Sequence, residues 1–269
     1  MPMLNVNGVA IYYEQHGRGE SLVLIGGAGT DTSIWLAVLD DLAKNFRVTL
    51  FDNRGSGKST TPHETLTTKL LAQDTMELMR ALDIESAHVL GHSLGGAIAQ
   101  QMALRYPERI QKLILCGTFA KLNPISRQVV KNSVDLYRAG TSPQMLYQQN
   151  IPWLYSSTFL ADKQKMRSIL EKNLKEKEPQ AMEGMAKQGE ACLLHDTTNT
   201  LKNIPHRTLV ISADHDLMIP LEEAKKLTEL LSNARLIVID KTAHLFIIEK
   251  PKEFCDAVVS FLSSHSQCG

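Results

Sequence analysis

The chain has 269 residues, 43% of them hydrophobic, enough for one sizeable core close to the upper limit of what a single core spans. Lys plus Arg and Asp plus Glu number 29 each, so the formal charge is zero and no global field favours nucleic acid, an anionic membrane or a polyanionic substrate. The opening Met1 to Ala10 lacks the basic stretch and apolar run of a signal peptide, and nothing later offers the roughly 18 unbroken apolar residues of a membrane helix, so a cytoplasmic protein is expected.

Short apolar runs rich in β-branched residues alternate with longer stretches of helical period, the pattern of a parallel sheet covered by helices. In chain order the spacing predicts a strand over Ala10–Gln15, polar enough to be an antiparallel edge, and a buried strand over Leu22–Ile25. A helix over Ile34–Lys44, a strand over Arg47–Phe51, a helix over Thr67–Leu82 and a strand over Ala87–Leu90 follow. Next come a helix over Leu94–Tyr106, stopped by Pro107, and a strand over Lys112–Cys116. The chain closes on strand Thr208–Ser212, helix Leu221–Leu231, strand Arg235–Ile239 and helix Pro251–Leu262, with Pro220 and Pro251 where a first helical turn tolerates proline.

The rhythm breaks between Lys121 and Pro205, which has no convincing strand and reads as short amphipathic helices punctuated by Pro124, Pro143, Pro152 and Pro179. An excursion of that length is expected to be a helical lid, residues 121–205, inserted in a core made of 1–120 and 206–269. Cys116, Cys192, Cys255 and Cys268 are too scattered for a disulfide framework or a zinc site; three read as buried thiols and Cys268 as part of the tail.

The strongest chemical signal is Gly91-His92-Ser93-Leu94-Gly95, a G-x-S-x-G sequence between a predicted strand and a predicted helix. That context lets a sharp turn lift the serine hydroxyl above the sheet edge, with small residues on either side for close backbone approach. The Leu94 N–H, at the helix start, then faces developing negative charge. A serine hydroxyl needs a base, and the base needs a third group to fix its tautomer. After Ser93, the loop Ala213-Asp214-His215-Asp216 follows one predicted strand and Asp240 to His244 follows the next, each at the carboxyl end where such sheets place their sites. The base is His244; the acid is Asp216 or Asp214.

On these residues the chain resembles the lidded serine esterases and lactonases of the α/β-hydrolase family. The likeness runs from Leu22 to Gly27, through Phe51-Asp-Asn-Arg-Gly-Ser-Gly-Lys-Ser and the serine motif, to His244-Leu-Phe-Ile-Ile-Glu-Lys-Pro. It implies a mostly parallel eight-stranded sheet with helices on both faces and an inserted lid. It favours Asp216, shortly before Pro220, as the acid, leaving Asp214 to solvent or to the loop. It also implies Ala28, after Gly26-Gly27, as the second oxyanion donor beside Leu94. Gly26 stands where the family usually has histidine, and Ala243 where glycine often precedes the catalytic histidine. Around Gly26 to Trp35 and Trp153 to Leu160 the likeness is to 3-oxoadipate enol-lactonase and aminoacrylate hydrolase types.

The implied activity is cofactor-free, metal-free hydrolysis of a small carboxylic ester or lactone by a monomer or homodimer, with an acyl-enzyme on Ser93. Alternatives on the same residues are C–C bond hydrolysis and slow-turnover ligand reception. Trp153, Leu154, Tyr155 and Phe159 are expected to bring apolar surface over Ser93, and His92 to line the site. His16, His63, His195, His206 and His265, in polar contexts, are expected at the surface. Two partial motifs fail: a P-loop would need glycine at Asp52, and a dinucleotide fingerprint would need it at Thr32.

Overall fold

Asn7 (φ 48°) and Gly8 (φ 78°) turn the chain between β1 (Met3–Val6) and β2 (Val9–His16), with Val6 opposite Val9. Positive φ at both central residues is what a two-residue hairpin of matching twist requires, and Asn-Gly supplies it. β2 pairs antiparallel with β4 (Phe46–Phe51) on its other side, so β1, not the expected Ala10–Gln15 run, forms the edge. The Met3–Val6 run is too short to register as a strand until the turn after it is recognised.

The computed structural model describes residues 2–61, 63–175 and 182–264. Beyond the hairpin, β3 (Glu20–Ile25), β4, β5 (Ala87–His92), β6 (Ile110–Cys116), β7 (Thr208–Ala213) and β8 (Ala234–Ile239) are parallel, in the order β1-β2-β4-β3-β5-β6-β7-β8. This is the α/β-hydrolase arrangement. Alternating residues of each strand feed two separate cores. Val23, Ile25, Val89 and Leu115 meet the helices α2 (Thr68–Ala81) and α3 (Leu94–Arg105) on one face. Leu22, Leu24, Leu90 and Ile114 meet α1 (Leu36–Ala43) and the C-terminal helix on the other.

Between β6 and β7 the described residues form five α-helices, α4 (Pro124–Arg138), α5 (Pro143–Leu154), α6 (Ser157–Ala161), α7 (Lys163–Lys175) and α8 (Met182–Leu194), and a short 3-10 helix over Leu201–Asn203. Pro124 and Pro143 begin α4 and α5, preceded by Asn123 and Ser142 whose side chains accept from the amides of Ser126 and Met145. A proline in a first helical turn gives up no intrahelical hydrogen bond, so these prolines start helices. Pro179 lies outside the described residues. The chain then continues through α9 (Leu221–Leu230), α10 (Phe246–Glu249) and α11 (Pro251–Ser263). No helix among the described residues is long and apolar enough to cross a membrane.

Cys116, Cys192 and Cys255 are buried; Cys268 and His265 lie outside the described residues. His195 and His206 correct the expectation of surface histidines, for both are buried. Polar sequence neighbours did not make these positions wet, because the fold brings partners from elsewhere. Thr68 Oγ1 lies 2.9 Å from His195 Nδ1, and His206 Nε2 donates to the Pro107 carbonyl at 2.8 Å.

Candidate active site

β5 runs into Ser93, which takes φ 55° and ψ −118°, and α3 starts at the next residue. A non-glycine residue in such a conformation costs on the order of 1–3 kcal/mol unless its surroundings hold it. Here Ser93 N–H donates to Cys116 O at 2.9 Å, while Ser93 O accepts from Gly96 N–H at 2.9 Å and Thr118 Oγ1 at 2.7 Å. A Cβ on Gly91 would stand 2.1 Å from Gly95 O, and one on Gly95 2.0 Å from Ile25 O. Strand, turn and helix therefore close this tightly only with glycine at both places.

His244 follows β8 and presents its ring to Ser93, with Nε2 3.1 Å from Ser93 Oγ. Its Nδ1 lies 2.8 Å from Asp216 Oδ2, and the other oxygen of that carboxylate accepts from Ile219 N–H at 2.8 Å. An ionised carboxylate accepts a hydrogen bond from Nδ1–H and so fixes that tautomer, which leaves the Nε2 lone pair to accept from the serine hydroxyl. Asp216 and His244 are both buried, whereas Asp214 is exposed and lies beside His215 at 3.7 Å. The loop after β7 thus turns Asp216 inward and Asp214 out.

His92 sits behind this array. It is buried, its ring centroid is 4.9 Å from that of His244, and its Nε2 donates to the His244 carbonyl at 3.0 Å. Burial, reinforced by the neighbouring His244, holds its pKa down at about 3. It therefore stays neutral near pH 7 and braces the His244 backbone without adding a second cation beside the ring.

On the opposite flank, Gly27 O accepts from Thr30 Oγ1 at 2.9 Å and Thr30 N–H at 3.3 Å. Because a trans peptide points its N–H opposite to its carbonyl, the Ala28 N–H is directed away from Thr30. A Cβ on Gly27 would lie 3.2 Å from Ser93 Cβ, which fixes how near this loop comes to the serine. Among the described residues the amides of Ala28 and Leu94 have no acceptor. Two such N–H groups beside a serine hydroxyl can stabilise a developing oxyanion.

From the insertion, Leu154 O accepts from Leu245 N–H at 2.9 Å, which places the end of α5 beside the His244 loop. Trp153 and Leu154 are half-buried there. Tyr155 and Phe159 are buried, stacked on one another at 5.2 Å and an 11° interplanar angle, and packed into the same core as Trp35 and Phe246. Glu249 has no signal of its own in the sequence beyond its place in His244-Leu-Phe-Ile-Ile-Glu-Lys-Pro. Its Oε1 accepts from Ala243 N–H at 3.1 Å and Ser156 N–H at 3.0 Å, and its Oε2 from Ser156 Oγ at 2.5 Å. Thr30 and Thr118, equally unforeseen, act on backbone atoms of the site, a role that carries no local sequence signal. Among the described residues no group of three or more His, Cys, Asp or Glu could hold a metal ion.

The family model for the alpha/beta hydrolase fold matches residues 20–251. The chain is 29% identical to the protein named "Putative carbamate hydrolase RutD" of Caulobacter sp. (strain K31), over 95% of this chain and 97% of that protein. It superposes with a TM-score of 0.89 on the enol-lactonase from Burkholderia xenovorans LB400, at 28% identity, covering 98% of this chain and 100% of that one. A further likeness, with a TM-score of 0.90 and 26% identity over 98% of each chain, is to MGS-M2, an alpha/beta hydrolase enzyme from a Medee basin deep-sea metagenome library.

Proposed function

The chain belongs to the α/β-hydrolase fold family, and from that premise we propose that it is a serine hydrolase that cleaves a small carboxylic ester or lactone without a cofactor. The observation that carries this is the unbroken chain Ser93 Oγ, His244 Nε2, His244 Nδ1, Asp216 Oδ2, with links of 3.1 and 2.8 Å. Ser93 Oγ attacks the carbonyl carbon as its proton passes to His244 Nε2, and Asp216 stabilises the imidazolium that results. The Ala28 and Leu94 amides take the oxyanion. Collapse expels the alkoxide, which leaves with the proton from Nε2, and an acyl group remains on Ser93. Water activated by the same nitrogen then releases the acid and restores the serine. In a lactone the alkoxide and the acid belong to one molecule.

In this reading residues 121–205 act as a lid, and Trp153 and Leu154 present apolar surface to the substrate. Tyr155 and Phe159 support them from the core side, and His92 backs the site through His244. The RutD likeness supports a second reading, in which the same steps act on a carbamate carbonyl. A panel of p-nitrophenyl acetate and butyrate, γ- and δ-lactones and simple carbamates, assayed with chelator present, separates these classes by kcat/KM. A fluorophosphonate probe should label Ser93 alone. Labelling at another residue, or no turnover of any carbonyl substrate, would overturn the proposal.

A further inference from the structure

Gln188, on α8 of the insertion, is completely buried and spends its side-chain amide on three partners in two core loops. Its Oε1 accepts from Gly29 N–H at 2.8 Å, and its Nε2 donates to Arg54 O at 2.9 Å and to Ser56 Oγ at 2.8 Å. Both amide hydrogens and the carbonyl are engaged, so the group has one orientation: a flipped amide would set an N–H against the Gly29 N–H. These bonds span 132 to 159 residues of chain.

We infer that Gln188 is the positioning residue of the oxyanion loop, setting the aim of the Ala28 N–H by holding the next peptide. The inference rests on the serine-hydrolase reading of Ser93 and on Ala28 as an oxyanion donor. Two peptide planes flank the Ala28 Cα. The first, which contains the Ala28 N–H, is held through its carbonyl by Thr30, a residue of the same loop. That bond fixes the loop's internal shape but not its place relative to Ser93. The second plane is held through Gly29 N–H by Gln188, which is itself anchored at Arg54 and Ser56. Asn53 Nδ2, from the core, donates to Gly26 O at 3.0 Å and holds the loop on the near side of Ala28; the insertion supplies the outside reference on the far side.

The seat of α8 is rigid enough for this task. A Cβ on Gly184, one turn before Gln188, would lie 2.3 Å from Gly55 O, so helix and turn meet backbone to backbone. The Met185 side chain lies against Gly29, with its Cε 3.6 Å from where a Cβ on Gly29 would be. Lys187 Nζ donates to the carbonyls of His63 and Glu64. Gly29 has φ 69°, a left-handed conformation open to glycine, so once its N–H is released nothing in its side chain restrains it.

The test compares the parent with Gln188→Met, which keeps length and burial but makes none of the three bonds, and with Gln188→Glu, which keeps an acceptor for Gly29 N–H. Readouts are kcat and KM on a p-nitrophenyl ester, the pH profile of kcat, affinity for an alkyl boronic acid whose serine adduct mimics the tetrahedral intermediate, and melting temperature. Loss of a whole oxyanion donor costs about 100- to 1,000-fold in kcat, so a misaimed donor in Gln188→Met should cost about 10- to 100-fold. KM should stay within about threefold, boronate affinity should fall in parallel with kcat, and the pH midpoint should not move, because the His244 half is untouched. Gln188→Glu should fall between parent and Gln188→Met, and it decides alone if Gln188→Met does not fold. A variant within about twofold of the parent kcat, whatever its melting temperature, or a fall in kcat accompanied by a shifted pH midpoint, would overturn the inference. An inactive parent that a fluorophosphonate does not label at Ser93 would instead overturn the serine-hydrolase reading beneath it.

Discussion

The sheet and the helical insertion are built on different principles, and the site lies where they meet. Strands β3 to β7 each contribute buried apolar residues to both cores, so each is fixed from two sides at once, and Ser93, Asp216 and His244 stand at the carboxyl ends of β5, β7 and β8. Their mutual positions follow from strand register. The insertion has no strand among its described residues and is tied down by polar links to the core. Gln188 reaches the Gly26–Gly29 loop, Ser156 meets Glu249, Leu154 O takes the Leu245 amide, and Ser126 Oγ donates to Met218 O at 2.6 Å. The sheet brings the reacting groups together; the insertion trims the loops that carry them. Variants on the sheet side should therefore act chiefly on turnover, and variants along the seam should divide their effect between turnover and stability.

The largest effect belongs to Ser93→Ala, which removes one hydroxyl from a turn held by backbone bonds. Turnover should fall by about a millionfold, the scale seen when a triad nucleophile is lost, with the melting temperature nearly unchanged. A retained ester-hydrolysis rate, or a collapsed fold, would break the division between the two regions at its strongest point.

Asp216→Asn comes next, with an expected loss of about a thousandfold or more in kcat, because an amide cannot stabilise the imidazolium and favours the wrong histidine tautomer. Asp214→Asn, on an exposed residue two positions earlier, should cost less than about tenfold. Kinetics of the two single variants on one ester settle the assignment, and the reverse order would give the role to Asp214.

Much of the sheet side was legible in the sequence, since its signals are local. Gly91 to Gly95 sits between a β-branched run and a helical period, and the acid and base each follow a strand. The edge hairpin was not seen because Met3–Val6 is short, although Asn7-Gly8 marks it. The seam was opaque for a physical reason: Gln188 reaches backbone atoms 134 and 159 residues away, and Glu249 joins the nearby Ala243 amide to a Ser156 amide 93 residues away. Nothing near position 188 distinguishes that glutamine from a solvated one. His195 and His206 were misplaced on the same ground, since polar neighbours in sequence do not report which helices close over a side chain.

Glu249 sharpens the comparison from the histidine side. Its carboxylate holds the amide just before His244 and the first turn of α6 together. Glu249→Leu should lower kcat by about tenfold to a hundredfold, as expected when a reacting group is displaced by a fraction of an ångström to one ångström, and should also lower the melting temperature. Glu249→Gln retains an oxygen to accept both amides and should recover most of the rate. If Glu249→Gln were as damaged as Glu249→Leu, with a shifted pH midpoint of kcat, the charge of Glu249 would be acting on His244 electrostatically.

The smallest effect on activity, and the clearest on stability, belongs to His195, where the insertion returns to the core. It follows α8 directly, and its ring is received by Thr68 of α2 at 2.9 Å and Gln100 of α3 at 3.3 Å. Burial lowers its pKa from the ordinary 6.5 to about 4, against a smaller upward pull from Asp196. A histidine depressed in the folded state takes up its proton first in the unfolded chain. Its neutral form is compatible with full stability above about pH 6.5, and stability is lost progressively as the pH falls from there toward about 4. At about 1.4 kcal/mol per pH unit the whole window amounts to about 3 kcal/mol. His92, held down at about 3 by burial, adds to the same trend, so replacing His195 should flatten the acid limb without abolishing it. His195→Asn should therefore start with a lower melting temperature at pH 7.5, lose less of it between pH 7 and pH 4.5 than the parent does, and keep kcat within about twofold at pH 7.5. Parallel acid limbs for parent and variant would mean that His195 takes up its proton as readily in the folded protein as in the unfolded chain, and burial of its neutral ring would then contribute nothing to the acid limb.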